Sequence, residues 1–285
     1  MTSDAVRAYY DSFGEREWTR LENPDDGAVE FAITKHILDT FLPSKARILD
    51  VGGGPGRYAI WLAQRSHRVV LADISPELLS IARTKIDRAG VGENIESLTE
   101  ADVRDLSQWD DDSFDAVVCL GPFYHLPDPG DRERAAAELC RVLRAEGLTF
   151  VALMPRYAFL RRTLAIPDER HHLAQQDFVA RVLEDGVFVN DIPGRFTDGY
   201  GVNPNEVAPF FERHGFTTLT LLAAEGIIVN NQRCLIELAE SDPITCQAAF
   251  EVIVDTASDP SILGMATHLL YVGKKTGLAE VARAR

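Results

Sequence analysis

The 285 residues include 29 Lys and Arg against 44 Asp and Glu, a formal net charge of −15, with 46% hydrophobic and 26% charged residues. A chain of this kind can bury a sizeable core, and its acidic balance works against nucleic-acid partners, which need clustered cations to release counterions. No apolar run approaches the roughly twenty residues of a membrane span, and the first twenty residues are too polar for a signal peptide. The expectation is a cytoplasmic protein with a small-molecule partner and no membrane or nucleic-acid partner, its oligomeric state left open.

In chain order, residues 1–45 predict a helical cover, with Ala5, Tyr9 and Phe13 along one face and Ile33, Ile37, Leu38 and Phe41 along another. The run from Ile48 to Ala59 then reads as a buried strand, a glycine turn and a helix start. Gly52, Gly54 and Gly56 allow the tight bend and bare the N–H groups at the helix N-terminus. Their spacing is G-x-G-x-G, and Arg57 stands where a dinucleotide fingerprint needs its third glycine. No Gly-Lys-Ser/Thr follows, so a phosphate-binding P-loop is also excluded.

Asp50 to Gly56 resembles motif I of the class I S-adenosylmethionine-dependent methyltransferases, Asp/Glu-x-Gly-x-Gly-x-Gly, at every position. The resemblance implies S-adenosylmethionine as cofactor. It also implies an α/β fold: a Rossmann-like seven-stranded, mostly parallel sheet with helices on both faces, an N-terminal helical segment and a lid insertion after the fifth strand. Asp50, Gly52, Gly54 and Gly56 become cofactor-binding candidates. Asp73, ending the apolar strand Val69 to Asp73, is placed on the ribose hydroxyls; the alternative, that it only caps the next helix, is weakened because Ser75-Pro76-Glu77 would cap that helix without it. Asp102 corresponds to the family's adenine-side aspartate, with Ile74 and Val103 sandwiching the ring.

The fourth strand leads into Leu120-Gly121-Pro122-Phe123-Tyr124-His125, which the family places nearest the reacting methyl group. This chain lacks the leading Asn or Asp of the Asn/Asp-Pro-Pro-Tyr found in base and glutamine methylating members, which argues against amino-directed nucleic-acid chemistry. Leu120 and Gly121 are taken as cofactor contacts, Tyr124 as a substrate-orienting group and His125 as proton acceptor for a hydroxyl nucleophile. Tyr10 is the N-terminal candidate for stacking near the sulfonium, with Trp18 and Tyr9 as alternatives; Tyr200 and His268 are further candidates.

Alternating strand and helix patterns divide the chain into a cofactor-binding core at 46–154, with a helix at 131–144 and its last strand at 148–153. A lid insertion at 155–201 is rich in aromatic and basic residues, and turn-rich at Asp191 to Gly194 and Thr197 to Tyr200. The remaining sheet lies at 202–275, from a helix at 205–214, strand 217–223, helix 244–256 and strand 267–272, one strand entering antiparallel. Residues 276–285 form a tail. His171 and His172 read as a solvated pair pointing apart, and Cys119, Cys140, Cys234 and Cys246 as buried free thiols, with no metal site. The implied reaction is methyl transfer to an O, N, C or S nucleophile of a small molecule by in-line displacement. The alternatives are a non-methylating S-adenosylmethionine-binding protein and an RNA or protein methyltransferase.

Overall fold

The computed structural model describes residues 3–25, 27–190, 192, 196–229 and 231–276. The chain begins with three helices, α1 (Ser3–Phe13), α2 (Glu15–Arg20) and α3 (Ala28–Phe41). The alternating core follows as β1 (Arg47–Val51), α4 (Arg57–Gln64), β2 (Arg68–Asp73), α5 (Pro76–Ala89), β3 (Ile95–Glu100), β4 (Phe114–Cys119), α6 (Pro129–Val142) and β5 (Leu143–Pro155). An insert holds α7 (Arg156–Ala165), α8 (Gln176–Ala180) and a short hairpin of β6 (Val187–Phe188) and β7 (Gly199–Val202). The chain then supplies α9 (Pro204–Arg213), β8 (Phe216–Ala223), α10 (Arg233–Ser241), α11 (Pro243–Thr256), α12 (Pro260–Leu263) and β9 (Leu269–Lys275).

Seven strands make the main sheet in the order β3-β2-β1-β4-β5-β9-β8. The first five are parallel, and β9 runs antiparallel between β5 and β8, from Leu148 opposite Lys274 to Leu153 opposite Leu269. The small hairpin adds to the end of β5 through Met154 opposite Gly201. The fold is thus the Rossmann-like α/β architecture expected, with the insert leaving after β5.

Successive strand residues serve opposite faces, as the period of two requires. Ile48, Leu71, Val118, Phe150 and Leu270 pack with α3, α4 and α5, whereas Leu49, Val70, Val117, Val151 and Tyr271 pack with α6 and α9. Both faces are covered, which explains the near-continuous apolar runs of the parallel strands. The insert has its own apolar cluster, in which Phe159, Phe178, Val182 and Phe188 close on Tyr124 and Met154.

Several boundaries moved. Helix α6 starts at Pro129 rather than 131, because Asp128 accepts from the Asp131 N–H at 3.1 Å and proline's missing N–H costs nothing at the first helical position. Helix α10 was not foreseen in the sequence. The expectation of four buried thiols fails too: Cys119 is buried but Cys234 is exposed. His171 and His172 do not point apart; their ring centroids lie 4.0 Å from each other, and His172 is buried.

Candidate active site

The chain runs outward from β1 to β2 and β3, then crosses back to β4 on the other side of β1. That reversal opens a crevice off the carboxyl ends of β1 and β4, where open α/β sheets bind ligands. A cleft lies there, lined from the glycine corner to the turn after β4. Asp50 to Gly54 form its floor, Asp73, Ile74, Asp102 and Val103 one wall, and the turn from Leu120 to Leu126 another. Tyr10, Glu17 and Arg20 of α1 and α2 close the top.

The glycine corner is shaped by close approach. Gly52 has φ +70° and donates its N–H to the Ala72 carbonyl at 2.8 Å, and a Cβ there would meet Pro122 Cγ at 2.4 Å. At Gly53 a Cβ would stand 2.6 Å from the Asp50 carboxylate, so this residue is also obligatory, although only the alternate glycines were singled out from the motif. Gly54 donates to Asp73 Oδ2 at 2.8 Å. Gly56 departs from expectation: it lies outside the cleft lining, caps α4 with φ +85° and faces Leu71 and Ala82. Its part is the turn and the packing of α4, not ligand contact.

Two carboxylates stand beneath this corner. Asp73 accepts from Gly54 N–H and, through Oδ1, from Ser75 N–H at 2.8 Å. Burial pushes its pKa up to about 6, against the pull of those two amides. Asp50 is 1% exposed, and among the described residues neither oxygen meets a partner in hydrogen-bond geometry. Burial, and then the neighbouring Asp73, raise it to about 7; the nearby Ala59 amide only tempers the rise. A buried acceptor without a donor is costly, and here it faces a cavity able to admit one.

Asp102 lines the cleft as expected, but it is clamped by Arg104, which donates from its backbone N–H at 3.0 Å and from Nε at 2.9 Å and reaches on to Asp131 at 2.8 Å. Arg104 Nη2 also donates to Asp102 Oδ2, at 2.5 Å, so the carboxylate is held at both oxygens. Ile74, Val103, Leu120 and Gly121 all line the same space.

Above β4, His125 is 6% exposed and engaged at both nitrogens. Tyr10 Oη lies 2.8 Å from Nε2, and Thr197 Oγ1, from the insert, lies 2.8 Å from Nδ1. Burial drives its pKa down to about 3, so the ring is neutral. Phe196 packs against it with centroids 4.9 Å apart. Tyr124 is buried beside it and points its hydroxyl at the Leu120 carbonyl, 3.4 Å away. The other aromatic candidates are elsewhere. Tyr9 stacks on Phe13, Trp18 carries the Arg57 guanidinium at 4.3 Å, and Tyr200 lies under Arg132 at 3.5 Å; none of the three lines the cleft.

Arg20 is the site residue that sequence reasoning missed. Its Nη1 donates to Glu30 at 2.8 Å and its Nε to Glu17 at 3.2 Å. Burial opposes its charge, but Glu30 and Glu17 overcome that and hold it firmly protonated. His268, another candidate, sits behind this group rather than in the cleft. Its Nδ1 is 2.9 Å from Glu225 and 3.4 Å from Glu30, and these carboxylates outweigh burial to raise it to about 8. Glu30, Glu225 and His268 could geometrically hold a metal ion, but the Arg20 guanidinium already supplies the cation against Glu30.

Residues 48–147 match the family profile described as a methyltransferase domain. Over 114 residues the chain is 35% identical to the ubiquinone biosynthesis O-methyltransferase of Xanthomonas axonopodis, covering 40% of this chain and 45% of that protein. Over 91 residues it is 33% identical to the tRNA 5-carboxymethoxyuridine methyltransferase of Escherichia coli, covering 30% and 35%. The match therefore spans less than half the length of either relative. A methyltransferase of Haloferax volcanii, solved with the Trm112 methyltransferase activator, superposes with a TM-score of 0.59 over 95% of this chain and 97% of that one, at 20% identity. At that identity the likeness is one of fold.

Proposed function

We propose that this chain, whose residues 48–147 match the methyltransferase-domain profile, is a class I S-adenosylmethionine-dependent methyltransferase that methylates a small-molecule acceptor held in the cleft. The observation that carries this reading is closure. α1 and α2 lie across the cavity, lining it with Tyr10, Glu17 and Arg20, and Tyr10 reaches His125 at 2.8 Å; the N-terminal helices thus cover part of the mouth, which favours a small acceptor over a macromolecule. The net charge of −15 supports the same side.

The family's methyl donor, S-adenosylmethionine, supplies an activated methyl group when bound. The residues present fit it. Asp73 would accept from the ribose hydroxyls and Asp102 from the adenine amino group, with Ile74 and Val103 beside the ring; all four line the cleft. The Asp50 carboxylate would hold the donor's ammonium, and Arg20 its carboxylate; both line the cleft. Gly52 and Gly54 keep the backbone close, while Leu120, Gly121 and Tyr10 surround the reacting end.

Transfer by in-line displacement asks the protein mainly to hold nucleophile and methyl in contact, an effect worth several kcal/mol. Tyr124 orients the acceptor. His125 takes up a proton through Tyr10 when the nucleophile is a hydroxyl, against the burial that lowers its pKa to about 3. The insert 155–201 and the helices of 1–45 serve as covers that exclude water.

Donor binding is expected to depend on pH. Asp73 and Asp50 are raised to about 6 and about 7 from 3.8, so the folded chain retains protons that the unfolded chain has lost. Their contribution to stability is present below about pH 4 and is lost as pH rises through those values. A ligand bringing an ammonium and hydroxyl donors favours the ionised carboxylates. Affinity for S-adenosylhomocysteine should therefore climb between pH 5.5 and 8, with protons released on binding near pH 6.5. Calorimetry in two buffers of different ionisation enthalpy measures that release; a flat profile would sink the assignment of both carboxylates.

The acceptor class is tested by incubating the protein with methyl-labelled donor and, in parallel, a panel of phenols, amines and thiols and total tRNA. Label on the small molecules supports the proposal. Label on tRNA alone, the substrate class of the Escherichia coli relative, overturns it.

A further inference from the structure

His125 joins three segments distant in sequence: α1 through Tyr10, the turn after β4, and the insert through Thr197. We propose that Thr197 is a positioning residue that fixes the tautomer of His125, holding the proton on Nδ1 and keeping Nε2 bare toward Tyr10.

The argument is one of counting hydrogens. The Thr197 hydroxyl has one, and the Asp198 carbonyl, 3.1 Å away, can only accept, so both contacts of Thr197 are satisfied together when the hydroxyl donates there. Thr197 Oγ1, 2.8 Å from His125 Nδ1, can then only accept, so Nδ1 carries the N–H. A neutral imidazole has a single N–H. Nε2 therefore holds a lone pair, and Tyr10, 2.8 Å away, must donate to it. The opposite arrangement would turn the Thr197 hydroxyl toward Nδ1 and away from the Asp198 carbonyl, and make His125 donate to Tyr10. Thr197 is itself held in place: the Asn190 N–H donates to Asp198 Oδ1 at 2.9 Å, and Phe196 lies on the imidazole at 33°.

The direction of these bonds decides what the chain of groups can do. With Nε2 bare, a proton leaving an acceptor hydroxyl moves to the Tyr10 oxygen as Tyr10's own proton passes to Nε2. His125 ends with both nitrogens protonated, and no other group changes. With Nε2 protonated, that transfer is blocked. Thr197 does not line the cleft, so it acts through His125 alone. The consequence for turnover rests on the methyl-transfer reading, but the tautomer does not.

Histidine-selective ¹⁵N labelling of the full chain, with two-bond proton–nitrogen correlation and assignment by the peak set lost in His125→Gln, reads the tautomer directly. The parent should show a protonated Nδ1 and a bare Nε2 at His125, and Thr197→Ser should keep that pattern. Thr197→Val, matched in shape but without the hydroxyl, should shift His125 to a mixed or inverted pattern. A protonated Nε2 in the parent, or an unchanged pattern in folded Thr197→Val, overturns the assignment. Should Thr197→Val fail to fold, the parent and Thr197→Ser spectra still decide. Both readouts are independent of whether any acceptor is methylated.

Discussion

Arg20→Met should lower stability by about 3–5 kcal/mol, the cost of leaving a buried carboxylate without its partner, and the Tm by roughly ten degrees for a chain of this size. Glu30 is 5% exposed and takes its principal cation from Arg20 at 2.8 Å. Methionine preserves much of the stem volume and removes only the charge and its donors. His268, 3.4 Å from Glu30, remains as a second cation. Its pKa is raised to about 8 by Glu30 and Glu225 against burial, so its favourable contribution is intact below the ordinary histidine value and fades as pH passes 8. The damage should deepen between pH 7 and 9. Adding Glu30→Gln should recover part of the loss, because the stranded charge is gone. Thermal unfolding of the single and double variants at both pH values checks this, and a Tm within two degrees of the parent would show that Glu30 does not depend on Arg20.

Asp73→Ala should cut affinity for S-adenosylhomocysteine by about ten- to a hundredfold, which corresponds to the roughly 1–3 kcal/mol of an unmatched buried hydrogen-bonding group. Two effects combine. The ribose hydroxyls lose their acceptor, and the Gly54 and Ser75 amides, each 2.8 Å from the carboxylate, lose the group that holds the glycine corner to the start of α5. Asp73→Asn keeps one acceptor oxygen and should fall between parent and alanine. Calorimetric titration measures the difference; unchanged affinity in the alanine variant would remove Asp73 from the donor site.

The corner and Asp73 were legible in the sequence because strand, turn and helix there are local and each carries its own signal, in apolar runs, glycines and a Ser-Pro cap. The seven-strand sheet followed from alternating patterns, together with the resemblance that motif I carried. Arg20 was not legible. It sits in Glu15–Arg20, a charged segment that reads as a solvated helix, and acquires its meaning only when folding buries Glu30 beside it. Thr197 lies in the irregular stretch after β6, where no periodicity exists to read. Gly56 and Trp18 show the reverse error: residue types suited to a ligand, whose side of the backbone is decided by packing on Leu71 and Ala82 in one case and on Arg57 in the other.

The position of β9 has a consequence for how the chain folds. Its partners in β5 lie more than a hundred residues earlier, Leu148 opposite Lys274 and Leu153 opposite Leu269, and such distant pairings are slow to form. Until residues 269–275 leave the ribosome, β5 presents a bare edge and β8 has no neighbour, an arrangement open to wrong pairing between chains. The strands that bear the Asp50 and Asp73 corner pair with each other and with β3 and β4, all made earlier. Synthesis thus completes the ligand corner first and seals the aggregation-prone flank last, so premature termination in the final strand should yield insoluble chains rather than merely inactive ones.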